Sequence, residues 1–147
     1  MDYTNLYIDG DWQEGAGQER VDVLNPATEA VIASVASADI ADADAALDAA
    51  EAAMALWAAQ TPRHRSEVLR KAWELMTARL EEFAYLITLE NGKARADAMG
   101  EAAYAAEFFR WFAEEAVRAD GMITHAPASG ARIIVQHKPA GLAVLVT

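Results

Sequence analysis

The chain has 147 residues, and its 12 basic and 23 acidic side chains give a formal net charge of −11 at neutral pH. A charge of this sign repels phosphate backbones, so the composition argues against a nucleic-acid partner. Cysteine is absent, which excludes disulfides, thiolate metal sites and a thiol nucleophile within these residues.

The composition also argues against a membrane protein. The hydrophobic fraction is 54%, but much of it is alanine, and no apolar run approaches the roughly 18 residues of a membrane-spanning helix. The N-terminal residues MDYTNLYIDG carry neither a basic region nor an apolar signal core. We therefore expect a cytoplasmic protein with no membrane partner.

The first third of the chain has the pattern of short strands. Residues 6–13 predict a hairpin around an Asp-Gly turn signal at residues 9–10. Residues 21–35 predict a second pair of strands, with Pro26 in the turn between them. Hairpins this short are not stable alone in water, so we expect both to lie on a larger body.

Helical spacing of apolar residues begins after this region. Ser37 or Asp39 is the expected N-cap of a first helix that runs to about Ala59. A second helix is expected to begin with Thr61 as its N-cap and Pro62 at its first position, where the missing N–H costs nothing.

Two further features belong to the helical region. A third helix is expected over residues 80–89, with Gly92 as its stop. The start of the first helix is acidic, and since the EF-hand spacing is absent we interpret its carboxylates as a solvated face that suits the helix dipole, namely Asp39, Asp42, Asp44 and Asp48.

Residues 101–121 predict a helix that is unusually rich in aromatic side chains. Its apolar residues cover about half of the circumference, and the opposite stripe carries the charged residues Glu107, Arg110, Glu114 and Arg118. Glu115 falls inside the apolar arc and needs a partner or a cavity mouth. We expect Gly121 to be the C-terminal cap, and Glu114 to pair with Arg118 four residues on.

The last part of the chain is rich in β-forming residues. Residues 122–130 predict a loop, residues 132–137 a strand and residues 142–146 an uninterrupted apolar strand. A strand without polar alternation is typical of a parallel sheet covered on both faces, and here no crossover helix follows it.

Local motifs for catalysis or ligand binding are absent. The sequence contains no G-x-G-x-x-G, phosphate loop, H-E-x-x-H or G-x-S-x-G motif. Its histidines, at positions 64, 125 and 137, lie in different predicted elements. No self-contained catalytic site is therefore predicted.

Six phrases, in the same order and at similar separations, resemble the N-terminal region of the aldehyde dehydrogenase superfamily. They are NLYIDGDW, VLNPATEAVIASV, TPRHRSEVLRKAWELM, LITLENGK, EFFRWFAEEA and HKPAGLAVLVT. The resemblance covers nearly the whole chain, and WFAEEA and LENGK are most similar to the succinate-semialdehyde dehydrogenase branch.

The resemblance implies an α/β fold that is incomplete as given. Residues 1–120 would be the N-terminal part of the cofactor-binding domain, built of hairpins and helices. Residues 121–138 would be the β arm through which subunits pair into dimers or tetramers. Residues 139–147 would be the first strand of a Rossmann-like sheet.

The resemblance also implies an NAD- or NADP-dependent oxidation of a small aldehyde to the acid, with succinate semialdehyde as the expected substrate. In the family, the oxyanion-stabilising asparagine, the nucleophilic cysteine, the general-base glutamate and the ribose-binding lysine lie beyond the region matched here. We expect this chain to be a fragment that is inactive alone, because without cysteine it cannot form a thiohemiacetal.

Three sets of binding residues follow from the resemblance. Val146 and Thr147 match positions near the nicotinamide cofactor. The substrate tunnel is matched by Tyr104, Phe108 and Trp111. A monovalent-cation site is matched by the backbone carbonyls of Val23 and Leu24 together with Glu90. From the residues alone, these would equally be a buried strand end, core aromatic residues and a helix-capping carboxylate.

A second hypothesis is a stand-alone helical binding or assembly module that keeps the helices without the chemistry. The absence of cysteine supports it, as does the predicted edge strand over residues 132–137. On the dehydrogenase hypothesis, the aromatic helix is one wall of a larger enzyme, so Tyr104 and Phe108 should not be enclosed by these residues alone. Glu115 would then lie at a pocket mouth or a subunit contact.

Overall fold

The computed structural model describes residues 3–146, which form six strands and four helices. The strands are β1 (Leu6–Ile8), β2 (Asp11–Gln13), β3 (Arg20–Leu24), β4 (Val31–Ala36), β5 (Met122–His125) and β6 (Arg132–Val135), and the helices are α1 (Ile40–Ala58), α2 (Pro62–Ala78), α3 (Leu80–Asn91) and α4 (Arg95–Glu115). None of the described helices is long and apolar enough to cross a membrane.

The described strands form three separate antiparallel pairs, β1 with β2, β3 with β4 and β5 with β6. The first two are the hairpins expected from the sequence, and Tyr7 pairs with Trp12 in the first. The ladder of β3 and β4 shifts register between Val23 and Leu24. A register shift of this kind bends the strand and re-aims the backbone carbonyls beside it.

Arg20 ties the two N-terminal hairpins together. Its guanidinium donates to the Ser34 carbonyl at 2.6 Å and to the Thr4 hydroxyl at 2.7 Å. It also donates to the Asn5 side chain at 3.0 Å and forms an ion pair of 2.6 Å with Glu14. Because guanidinium is planar and has five N–H donors, it can hold several acceptors in fixed directions at once.

Helix α1 begins with a capping box. The Asp39 carboxylate accepts from the Asp42 N–H at 3.1 Å, and the Asp42 carboxylate accepts from the Asp39 N–H at 2.9 Å. Asp42 is only 7% exposed, and it also accepts from the Ala16 N–H. The expectation of a solvated acidic face is therefore wrong for Asp42, because its two oxygens satisfy backbone donors at a buried helix start.

The ends of α2 and α3 follow the sequence expectations. Thr61 accepts the N–H of His64 at 3.2 Å, and Pro62 is the first residue of α2. Helix α3 ends at Gly92, whose backbone is left-handed with φ of 77°. A Cβ at Gly92 would lie 2.9 Å from Cγ of Pro26, so the end of α3 rests directly on the turn between β3 and β4.

The limits of α4 differ from the prediction over residues 101–121. The helix begins at Arg95 and ends at Glu115, with Ala116 as its C-cap. Gly121 is not the cap. A Cβ at Gly121 would lie 2.3 Å from the Val135 carbonyl oxygen. The absence of a side chain at Gly121 therefore allows its backbone to approach that of Val135 closely at the base of the β5–β6 hairpin.

The face that α4 buries is also not the predicted one. Its buried residues are all alanines that lie together on one side of the helix, Ala98, Ala102, Ala106 and Ala113, and this helix packs against α2 and α3. The aromatic arc points elsewhere, with Tyr104 66% and Phe108 48% exposed. Small side chains allow helix axes to approach closely, and this contact favours the alanine face over the more apolar one.

Glu115 finds a partner within the chain. Its carboxylate pairs with Arg118 at 2.6 Å, and Glu114 pairs with the same arginine at 3.8 Å. The expected pairing of Glu114 with Arg118 is thus present, although Arg118 lies beyond the end of the helix.

The C-terminal part of the chain contains one hairpin and an extended segment. Strand β5 occupies residues for which a loop was predicted, because pairing with β6 extends the backbone there. Every residue of both strands is exposed. Residues 142–146 pair with no described strand. Since a strand is defined by a hydrogen-bonded neighbour, their place in a Rossmann-like sheet remains a prediction, and Thr147 lies outside the described residues.

Candidate functional site

The exposed aromatic side of α4 is the candidate functional surface. We define the α4 aromatic face as Tyr104, Phe108, Trp111 and Phe112, which lie on one side of the helix at successive turns. Their side chains and Glu107 line an open groove of about 340 Å³. The rings of Tyr104 and Phe108 meet edge to face, with centroids 4.9 Å apart. This contact fixes the two rings relative to each other.

The polar groups around the groove are already engaged within the chain. Glu107 pairs with Arg110, and Arg110 in turn lies over the Trp73 ring of α2, 6.0 Å from its centroid. The Glu107 hydrogen bond raises the pKa of Arg110 above its ordinary value. The groove therefore offers an apolar wall with a tyrosine hydroxyl and no free charge of its own.

This arrangement is suited to binding a small molecule. The groove lining contains no serine, cysteine, histidine or lysine side chain, which are common nucleophiles and bases in covalent catalysis. An apolar wall of this kind can orient the carbon chain of a small molecule. The structure brings together all three residues predicted for the substrate tunnel, Tyr104, Phe108 and Trp111.

Sequence analysis missed two residues of this groove. Phe112 lies four residues after Phe108 and lines the groove beside it. Its i, i+4 spacing was the signal that could have found it. Glu107 was interpreted as a residue of the charged stripe only, yet it borders the groove as well as pairing with Arg110.

The residues predicted for a cation site lie on two elements that come close together. Val23 and Leu24 end β3 at its register shift, and Glu90 lies near the C-terminus of α3. Contact between Gly92 and Pro26 joins these two regions. The C-terminal end of a helix favours a cation. In the described part of the chain, no group of three or more His, Cys, Asp or Glu side chains is placed to hold a metal ion.

The predicted cofactor positions do not form a binding site in the part of the chain that is described. Val146 is 90% exposed, and Thr147 lies outside the described residues. The nearest large cleft, about 700 Å³, lies between α1 and residues 137–143 and includes Met54, Trp57 and Arg65 in its lining. It has no glycine-rich turn at a helix N-terminus, which is the usual means of holding a dinucleotide.

Most of the part of the chain that forms the hairpins, the four helices and the aromatic groove matches one known protein family. Residues 12–147 match the aldehyde dehydrogenase family. Because this match covers most of the chain, the protein belongs to the aldehyde dehydrogenase family, and its α/β architecture is the N-terminal part of that fold.

Individual relatives of the chain within this family are named as semialdehyde dehydrogenases. The chain is 53% identical over 117 residues, 80% of its length, to a succinate-semialdehyde dehydrogenase of Paenarthrobacter nicotinovorans, of which it covers 26%. It is 40% identical over 141 residues, 96% of its length, to a glutarate-semialdehyde dehydrogenase of Pseudomonas putida, of which it covers 29%.

Among solved structures, an NADP-dependent enzyme of E. coli superposes with a TM-score of 0.84 at 37% identity, over 89% of this chain and 27% of the other. The chain thus spans little more than a quarter of the length of the relatives that it matches. The elements described above are arranged as they are in a much longer enzyme.

Proposed function

We propose that this chain supplies the N-terminal part of an NAD- or NADP-dependent aldehyde dehydrogenase that oxidises succinate semialdehyde to the dicarboxylic acid. The observation that carries the proposal is the 53% identity to a succinate-semialdehyde dehydrogenase over 80% of the chain. The Pseudomonas putida relative is named for the five-carbon semialdehyde, so the substrate class is an ω-carboxylated short aliphatic aldehyde.

The α4 aromatic face fits the proposed role of a substrate-tunnel wall. Tyr104, Phe108 and Trp111 present ring surface outward at 66%, 48% and 58% exposure. A short methylene chain gains from contact with such rings, while its carboxylate needs cationic partners. Arg110 does not supply one, since it is paired with Glu107 and stacked on Trp73. We propose that the carboxylate is bound by residues outside this chain.

The remaining site residues have supporting roles in this proposal. Val23, Leu24 and Glu90 would hold a monovalent cation between the β3 register shift and the end of α3. Val146 and Thr147 would border the nicotinamide cofactor, which serves as the oxidant. The described residues do not form that cofactor site by themselves, so we assign no step of the reaction to them.

The β5–β6 hairpin is proposed to be the arm through which subunits of a homo-oligomer pair. Both of its strands are exposed along their whole length, and they leave free edges on which another strand can pair. We propose a cytoplasmic location for the enzyme.

The test is an assay of the complete polypeptide that contains these residues. Formation of reduced cofactor is measured with succinate semialdehyde, glutarate semialdehyde and betaine aldehyde, and with NAD or NADP in turn. We expect the highest kcat/KM with one of the two semialdehydes. Activity with betaine aldehyde alone, or no activity with any aldehyde, would reject the proposal. The 147-residue chain alone is expected to be inactive, since it lacks cysteine.

A non-catalytic helical module is the competing function. It requires a chain that covers its own apolar surface, and the exposed α4 aromatic face argues against that. A cooperative, monodisperse monomer that does not bind an apolar dye would favour the module.

A further inference from the structure

The chain exposes far more surface than a self-contained protein of its mass. Its accessible surface is 11037 Å², whereas a folded monomer of 15.9 kDa has about 7,400 Å². The excess is about 3,600 Å². Consistent with this, no large side chain among the described residues is fully buried, and the buried hydrophobic residues are all alanines.

Apart from the β5–β6 hairpin, two separate regions carry much of the exposed apolar surface. One is the α4 aromatic face. The other, which we call the α1 face, consists of Leu47, Met54 and Trp57 on one side of α1 together with residues 142–146. Met54 and Trp57 line the cleft of about 700 Å³ that separates α1 from residues 137–143. Within the last segment, Leu145 is 88% exposed.

A second copy of this chain, which is proposed to pair at the β5–β6 hairpin, is a poor fit to these two faces. A standard interface covers about 800 Å² of each partner, and a large obligate one about 2,500 Å². The excess here is larger than either. It also lies on two regions whose lining residues do not overlap, and a two-fold dimer would cover one continuous patch.

The comparisons identify a partner of the required size. In relatives that share these elements, with a TM-score of 0.84 for the E. coli enzyme, almost three quarters of the relative's own length lies outside the matched part. We propose that the α1 face and the α4 aromatic face are docking surfaces for a polypeptide corresponding to that remaining part. Such a segment, supplied as a separate chain, binds these 147 residues one to one. The inference rests on family membership and does not require catalytic activity.

The test is co-expression of the tagged 147-residue chain with the part of the Paenarthrobacter relative that lies outside its matched region. We expect the two chains to purify together at a one-to-one mass ratio, as measured by light scattering. The relative's own matched segment, tagged in the same way, is the positive control. Recovery of the large segment with the control but not with this chain would overturn the proposal.

A matched pair of variants tests the surface itself. Phe108→Glu places a charge in the centre of the α4 aromatic face, and Ala103→Glu places the same charge on an exposed position of the same helix, on the side that also carries Arg110 and Glu114. We expect Phe108→Glu to reduce the amount of recovered complex at least tenfold and Ala103→Glu to leave it unchanged. Equal recovery with both variants would contradict docking at this face.

A measurement on the chain alone keeps the inference testable if the large segment is insoluble in every combination. We expect backbone amides of residues 142–146 to exchange without protection and an apolar dye to bind, whether or not two copies pair at the β5–β6 hairpin. A closed homo-oligomer that protects both faces would overturn the inference. A one-to-one complex without dehydrogenase activity would leave this inference intact and reject the proposed function.

Discussion

The backbone N–H of Ala16 donates to both carboxylate oxygens of Asp42, at 3.1 Å to each, and thereby ties the loop after β2 to the first turn of α1. One of these oxygens also accepts the N–H of Asp39. A single buried carboxylate thus completes a helix cap and attaches the N-terminal loop to α1.

Replacing Asp42 by alanine should therefore destabilise the protein. Two backbone donors lose their acceptor at a site that is only 7% exposed, which costs about 1–3 kcal/mol. Urea unfolding followed by tryptophan fluorescence measures the change. Asp48→Ala, on an exposed position of the same helix, is the control and should stay within about 0.5 kcal/mol of the parent. Equal losses in the two variants would contradict the role of Asp42.

Two glycines should respond to alanine in opposite directions. Gly92 has φ of 77°, and its new Cβ would lie 2.9 Å from Cγ of Pro26, so Gly92→Ala should cost about 1–2 kcal/mol. Gly100 lies inside α4 with nothing within 4 Å of the new Cβ, so Gly100→Ala should gain about 0.5–1 kcal/mol. Thermal unfolding of both variants tests the pair, and a gain at Gly92 would refute the strained contact.

Removal of the α2 cap should weaken that helix. Thr61→Ala leaves the His64 N–H without its acceptor at 3.2 Å and should cost about 1 kcal/mol. Thr61→Ser keeps a hydroxyl and should stay close to the parent. Circular dichroism during urea titration compares the two, and an alanine variant as stable as the serine variant would show that the cap contributes nothing.

The ion pairs of α2 predict a small loss of stability in acid. The hydrogen bond from Arg70 holds the pKa of Glu67 below its ordinary value of 4.5. Because the folded-state pKa is lowered, the contribution is present above the ordinary pKa and is lost as pH falls through the lowered one. Both side chains are exposed, so the effect is modest and is screened by salt.

Glu67→Gln tests this pH dependence. We expect the variant to be less stable than the parent at neutral pH, and this difference to disappear as the pH falls through the lowered pKa of Glu67 and the parent carboxylate becomes protonated. Glu51→Gln is the control, since Glu51 is exposed on α1 and has no ion pair among the described residues. A Glu67→Gln deficit that persists in acid would point to packing and not to charge.

Activity of the complete enzyme should depend on the α4 aromatic face. Phe108→Ala removes the ring that meets Tyr104 edge to face, and we expect kcat/KM for the semialdehyde to fall on the order of tenfold. Tyr85→Ala removes an exposed aromatic ring from α3 and should leave kcat/KM unchanged. Steady-state kinetics decides, and equal effects of the two variants would exclude a specific role for the face.

The sequence could predict those features of the fold that depend on neighbouring residues, namely turns and helix ends. The hairpin at residues 6–13, the N-cap at Thr61 and the stop at Gly92 each depend on a few adjacent residues, so turn and capping preferences were sufficient. The first and last residues of α4 could not be predicted in this way. Its first residues, Arg95–Gly100, contain one large apolar side chain, Met99, and therefore show no helical periodicity. Gly121 looked like a cap, although its role is to let β5 approach β6.

Burial could not be predicted in the same way, because it depends on what covers each surface. Periodicity found the apolar arc of α4, but the neighbouring helices in this chain contact its alanines instead. Asp42 was assigned to solvent for the same reason, since nothing in its own helix indicates that the Ala16 loop lies over it. The strand expected over residues 142–146 requires a neighbouring strand that the described residues do not provide.

The alanine face of α4 has one further consequence, for how enzymes of this architecture can diverge. Ala98, Ala102, Ala106 and Ala113 fix the helix on its neighbours, while the rings that form the groove are on another side of the same helix. Any larger residue at the four alanines would push the helices apart, whereas the rings can be exchanged without moving the backbone. If the α4 aromatic face is the proposed tunnel wall, substrate preference can change by substitution on one side of α4 while helix packing on the other side is retained.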